Sequence, residues 1–210
     1  MRARMFSLPN RIKAQAAFCF FCILLFPLDL FGRQTQSLAT WKTDQAALSQ
    51  LADAVTVEGF SIRPPKGYLL QTRSGPYESK ANVWVGPTRA DGTRGQVMVL
   101  TVSAAAERLG PLNLEELFEE LLAGLRERRT QWKQSATEKG LINGLMFQRI
   151  HWSGRDKTND VGLHGVVYIA IAGETVVQLS SQDVDAHYQD AFGLAESSIF
   201  TFERGSQKAL

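Results

Sequence analysis

The run Leu163-His-Gly-Val-Val-Tyr-Ile-Ala-Ile-Ala172 decides the fold. Its alternate residues fall into two sets: Leu163, Val167, Ile169 and Ile171 in one, Val166, Tyr168 and Ala170 in the other. A strand with one wet face shows polar residues in one set; here both are apolar, so the strand is expected to be covered on both sides. Working outward, residues 142–152 and 174–181 read as its antiparallel neighbours, giving a three-strand meander from Leu141 to Ser181. Its first connection, Ser153 to Gly162, is charged and reads as a long exposed loop of the kind that often carries function. The second, Gly173-Glu174, is tight.

Upstream, Asn113 to Arg129 is the strongest helix. Leu114, Leu117, Phe118, Leu121, Leu122 and Leu125 make one apolar stripe, with Asn113 as N-cap. Glu115, Glu116, Glu119 and Glu120 fill the early turns and Arg126, Arg128 and Arg129 the end, as the helix dipole favours. The acidic-then-basic outer surface reads as a solvated face, with docking as the alternative. Gln96 to Ser103 and Asn82 to Val85 read as strands, Trp132 to Lys139 as another. Arg73 to Ala81 and Pro87 to Gly95 read as loops. Phe60 and Ile62 mark a short strand stopped by Pro64-Pro65, which cannot donate to a ladder. Asp44 to Ala54 is expected to make a short helix. Asp183 to Phe200 reads as a closing helix with Tyr188, Ala191, Phe192, Ala195 and Ile199 on one face and Asp183 or Asp185 as cap.

The chain of 210 residues is 44% hydrophobic, enough for one sizeable core. Residues 1–39 carry a basic stretch (Arg2, Arg4, Arg11, Lys13) followed by an apolar block over 14–31, the arrangement of an export signal. Ser37-Leu38-Ala39 supplies small residues for cleavage before Thr40, and an uncleaved signal anchor is the alternative. The expected organisation is therefore residues 1–39 as signal peptide or anchor, 40–57 as lead-in, 58–204 as one α+β domain and 205–210 as tail. Residues 40–210 hold 18 basic and 20 acidic side chains, and this lack of a basic face argues against nucleic acid as partner.

Chemistry is sparse. Both cysteines, Cys19 and Cys22, sit in the apolar leader among Phe18, Phe20 and Phe21, without the polar surround of a redox or metal site. No serine has a GxSxG setting, and the glycines near Gly92 and Gly95 lack a phosphate-loop pattern and read as turns. His151 and His164 are candidate cross-strand neighbours if the 153–162 hairpin pairs residues around a common register. Asp156 and Asp160 are the nearby acids that a metal site would need. His187 reads as an ordinary helix-surface residue. Trp84 and Trp152 read as core, with a ligand groove formed with Trp41 and Trp132 as the alternative. No residue is assigned a catalytic, cofactor-binding or metal role.

The order of elements, with Phe60-Ser-Ile-Arg-Pro-Pro-Lys-Gly-Tyr68 as opening motif, resembles the PsbP/Mog-one superfamily over about residues 58–204. Tyr68 stands where the family often has tryptophan. The resemblance implies an antiparallel sheet of about six or seven strands sandwiched between helices, and a non-enzymatic binding or assembly role. It names no partner. The expectation is an exported binding or accessory protein of the cell envelope, with an envelope protein as partner, no cofactor, and membrane contact only through the N-terminal segment. The alternative is a small-molecule or metal-binding carrier or enzyme using a pocket near the 151–164 hairpin.

Overall fold

A nine-stranded sheet with a helix on each face forms the body of the protein. The structure, a computed structural model, describes residues 38–74, 79–103 and 113–205, so residues 1–37 of the expected leader lie outside the described residues, while Leu38 and Ala39 lie within them. In chain order the elements are β1 (Ala39–Thr40), a 3-10 turn (Ala47–Gln50), β2 (Val55–Val57), β3 (Phe60–Ile62), β4 (Leu69–Ser74), β5 (Lys80–Val85) and β6 (Gln96–Ser103). Then follow α1 (Leu114–Glu127), β7 (Arg129–Gln134), β8 (Glu138–Ile142), β9 (Leu145–Asp156), β10 (Gly162–Ala172), β11 (Thr175–Val184), α2 (Asp185–Ile199) and β12 (Glu203–Arg204). The sheet order is β1-β8-β9-β10-β11-β6-β5-β4, with β7 also paired to β9. All its pairings are antiparallel except β1 with β8.

The two-sided reading of β10 holds. Val166, Tyr168 and Ala170 are buried with Phe147, Val177, Leu179 and the Ala195 and Ile199 face of α2. Val167 and Ile169, from the other set, are buried with Phe118, Leu122 and Leu125 of α1. Asn113 caps α1 through its side-chain oxygen, which accepts the Glu115 amide at 3.0 Å.

The sheet is larger than the six or seven strands expected, for local reasons. Residues 73–81, read as a loop from their small and polar composition, contribute the end of β4 and the start of β5. The strand expected over Trp132–Lys139 divides into β7 and β8, which border successive parts of β9. The strand expected over 142–152 is broken by Asn143-Gly144, which take φ values of 46° and 82° and turn β8 into β9. That pair suits a two-residue hairpin because both tolerate a left-handed backbone. The expected 153–162 loop shrinks, because β9 runs to Asp156 and β10 begins at Gly162.

Two further expectations fail. Asp44–Ala54 forms only a single 3-10 turn: the Asp44 carboxylate takes the Ala46 amide at 2.9 Å, and Leu51 leaves in extended conformation to bridge Pro65. The short strand expected at Phe60–Ile62 forms as β3, between β2 and β12 in a separate three-stranded sheet. Neither Asp183 nor Asp185 caps α2, whose N-cap is Val184. Asp183 is held instead by Arg89 through two bonds of 2.7 and 2.6 Å, pinning the β5–β6 connection to the end of β11.

Candidate binding groove

The two faces of the sheet are not equally covered. Helix α1 lies over β9, β10 and β11, where its apolar stripe meets Ile150, Trp152, Val167, Ile169 and Val176. Towards β4 the same face runs out from under the helix and opens into a groove of about 470 Å³. Alternation along the strands supplies its floor: Val83 and Val85 from β5, Met98 and Leu100 from β6, Gln178 and Ser180 from β11. Leu121 and Leu125 of α1 form one wall, with Arg73 on the opposite rim. A second depression of about 300 Å³ shares Leu100, Leu121, Arg128 and Gln178 with it, so the trough continues along the helix.

Arg128, Arg129, Trp152 and Asp156 close one end. Here the helix end and the 153–162 hairpin meet: the Lys157 amide bonds to the Arg128 carbonyl at 3.1 Å, and Arg129 pairs with Asp156 in the β7–β9 ladder. Arg129 is only 8% exposed. Its guanidinium lies 4.2 Å over the Trp152 ring and donates to the Leu125 carbonyl at 3.0 Å and to Gln182 at 3.1 Å. Burial lowers its pKa, the neighbouring Arg128 lowers it further, and Asp156 opposes both. The Asp156 carboxyl is itself held low, first by the Thr158 amide. Gly165 permits this packing: a Cβ there would sit 2.5 Å from the Trp152 indole.

The histidine expectation fares differently. The register pairs His151 with Val166 and Ser153 with His164, so the imidazoles share a face but are diagonal rather than directly opposed. They lie beneath α2, with His151 against Phe192 at 5.4 Å and His164 stacked on Tyr188 at 4.8 Å. His164 also contacts Asp185 at 3.1 Å. Asp156 belongs to the opposite strand face, and Asp160 is engaged by Arg155 at 2.7 Å, so neither acid joins the pair. Among the described residues no three metal-ligating side chains come together. The open depression there, about 380 Å³, is lined by both histidines, Lys133 and Tyr188. His187, read as a plain surface residue, reaches Asp91 at 2.7 Å.

The tryptophans separate by role. Trp84 is core at 2% exposure, and Trp152 is core that also lines the groove. Trp132 stacks on Trp152 at 5.4 Å, whereas Trp41 packs edge-on to Tyr168 beside a separate cavity of about 540 Å³. Composition alone gave no signal for the groove, since its floor joins strands far apart in sequence. Among the described residues no helix is long and apolar enough to cross a membrane.

No protein-family profile and no curated protein sequence matches the chain. Solved structures do. Cyanobacterial PsbP (CyanoP) from Synechocystis aligns with a TM-score of 0.53 and 9% identity, over 72% of this chain and 91% of that one. The Ran-binding protein Mog1p of Saccharomyces cerevisiae aligns at 0.50 with 13% identity, over 72% and 94%. LpqN of Mycobacterium tuberculosis, described as involved in cell envelope biogenesis, aligns at 0.50 with 10% identity, over 78% and 96%. With two helices packed on a largely antiparallel sheet, the chain has a PsbP/Mog1-like α+β fold.

Proposed function

We propose that this chain is an exported, non-enzymatic binding or accessory protein of the cell envelope, working through the groove beside α1. The observation that carries the reading is the half-covered sheet face: an apolar floor with polar groups at one end, the general form of a binding site. The basic-then-apolar leader supports export. The envelope role described for LpqN lends a parallel on the same fold.

The test places a photo-crosslinking side chain at Met98, inside the groove, and as control at Glu119, on the exposed outer side of α1, in cells expressing the full chain. Adducts in the envelope fraction from position 98 alone support the reading. Equal adducts from both positions, or a protein retained wholly in the cytosol, would sink it. N-terminal sequencing of the envelope form then separates cleavage before Thr40 from an anchor.

A further inference from the structure

Among the described residues, the closed end of the groove buries positive charge with only neutral groups to receive its hydrogen bonds. Arg129, 8% exposed, donates to a carbonyl and an amide oxygen. Its Nε and the indole Nε1 of Trp152 are both buried without an acceptor among the described residues. Buried donors are ordinarily satisfied, and buried charges ordinarily paired. Arg128 stands beside them, its Nε bonded to the Gly124 carbonyl at 3.2 Å, and Arg73 lies on the far rim. At the closed end the one carboxylate among the described residues, Asp156, accepts the Thr158 amide at 2.8 Å, while Glu120 lines the continuation along α1.

We infer that the groove binds an amphipathic anion: an oxyanion head of carboxylate or phosphate type seated at Arg128, Arg129 and Trp152, with an apolar body along Met98, Leu100 and Leu121. At that end two guanidiniums, Arg128 and Arg129, face the single carboxylate of Asp156, and the head supplies a second negative charge. The body follows from the apolar floor and its continuation along α1. A volume of about 470 Å³ suits a small molecule. A polyanion is disfavoured, because residues 40–210 carry more acids than bases. The assignment rests on reading the groove as the binding surface.

Calorimetric titration of the purified full chain with octanoate, octyl glucoside and acetate tests it. The two amphiphiles share a chain and differ in head charge; acetate is the head alone. Octanoate is expected to bind at least about ten-fold tighter than either, a difference of about 1.4 kcal/mol. Arg128→Gln, at an exposed position, should weaken octanoate about five-fold or more and leave octyl glucoside unchanged. Arg129→Met should erase the preference for the anion; if that variant fails to fold, Arg128→Gln carries the test. Equal binding of both amphiphiles, lost in Leu121→Asp, would keep the groove as binding surface and overturn only the anionic head. Acetate binding as tightly as octanoate would overturn the amphiphile. If no probe binds, the amphipathic anion is overturned, and the proposed function is decided separately by the crosslinking at Met98.

Discussion

Two arginines, one on each side of the sheet, make the same aromatic contact under opposite electrostatic conditions. Arg149 lies 4.4 Å over Trp41, and Arg129 lies 4.2 Å over Trp152. Arg149 is surrounded by acceptors: Glu138 at 2.6 Å, Glu196 at 3.0 Å, and the Tyr168 hydroxyl, which itself donates to Glu196. Burial alone would lower its pKa, but the Tyr168 hydrogen bond and the two glutamates raise it overall. Arg129 has burial and Arg128 acting against its charge, with only Asp156 opposing. On the α2 face, then, the cation is matched by two carboxylates, although its Nε, like that of Arg129, is buried without an acceptor among the described residues; on the α1 face it borders an open groove. The contrast teaches that a buried cation is a structural part where its counter-charges are built in, and a binding part where they are not.

Four variants break or sharpen that contrast. Phe118→Ala removes a side chain 2% exposed from beneath α1 and should cost about 4 kcal/mol by chemical denaturation. A loss below about 1 kcal/mol would mean that α1 is not anchored there. Arg149→Met leaves Glu196 and Tyr168 without their cation and should cost about 3 kcal/mol. Arg129→Met should cost about 1 kcal/mol or less, because two neutral hydrogen bonds are lost while an unpaired buried charge is removed. Equal losses for the two arginines would erase the distinction between the faces.

The smallest effect is a pH slope on the α2 side. Burial, with Arg149 adding to it, lowers the His151 pKa below its ordinary value. The folded protein then binds fewer protons at this site than the unfolded chain. The stabilisation is complete above the unfolded value of about 6.5 and is lost as pH falls through it towards the lowered folded value. Urea midpoints should therefore fall between about pH 7.5 and 5.5, and fall less in His151→Phe. Identical pH profiles for the two proteins would show that His151 is not the responsible group.

Much of the architecture was legible because it is local. The double apolar alternation of residues 163–172 marks a strand covered on both sides, and the stripe from Leu114 to Leu125 marks the helix that covers one of them. Asn143-Gly144 was equally legible as a hairpin signal, and the strand expected over 142–152 runs straight through it. Arg129 was harder. Its place after Arg126 and Arg128 reads as the end of an exposed helix, yet it opens β7 and turns inward over Trp152. The groove was not legible at all, because Met98 and Ser180 meet only through the β6–β11 pairing. Asp183 illustrates the same limit: a local cap was expected, and a partner far upstream in the chain, Arg89, takes the carboxylate instead.

That β6–β11 pairing also sets an order of assembly. The strands from β8 to β11 are consecutive hairpins, and so are β4 to β6, each closing over short stretches of chain. Joining the two halves brings Gln96 to Gln182 and Ser103 to Thr175, across the whole α1 segment. Such distant pairing demands the larger loss of chain entropy and comes late in folding. The β4–β6 and β8–β11 pieces are thus joined along one seam, and the groove floor crosses it. Whatever occupies the groove holds both sides of that seam, and amide exchange along β6 and β11 should slow when it is filled.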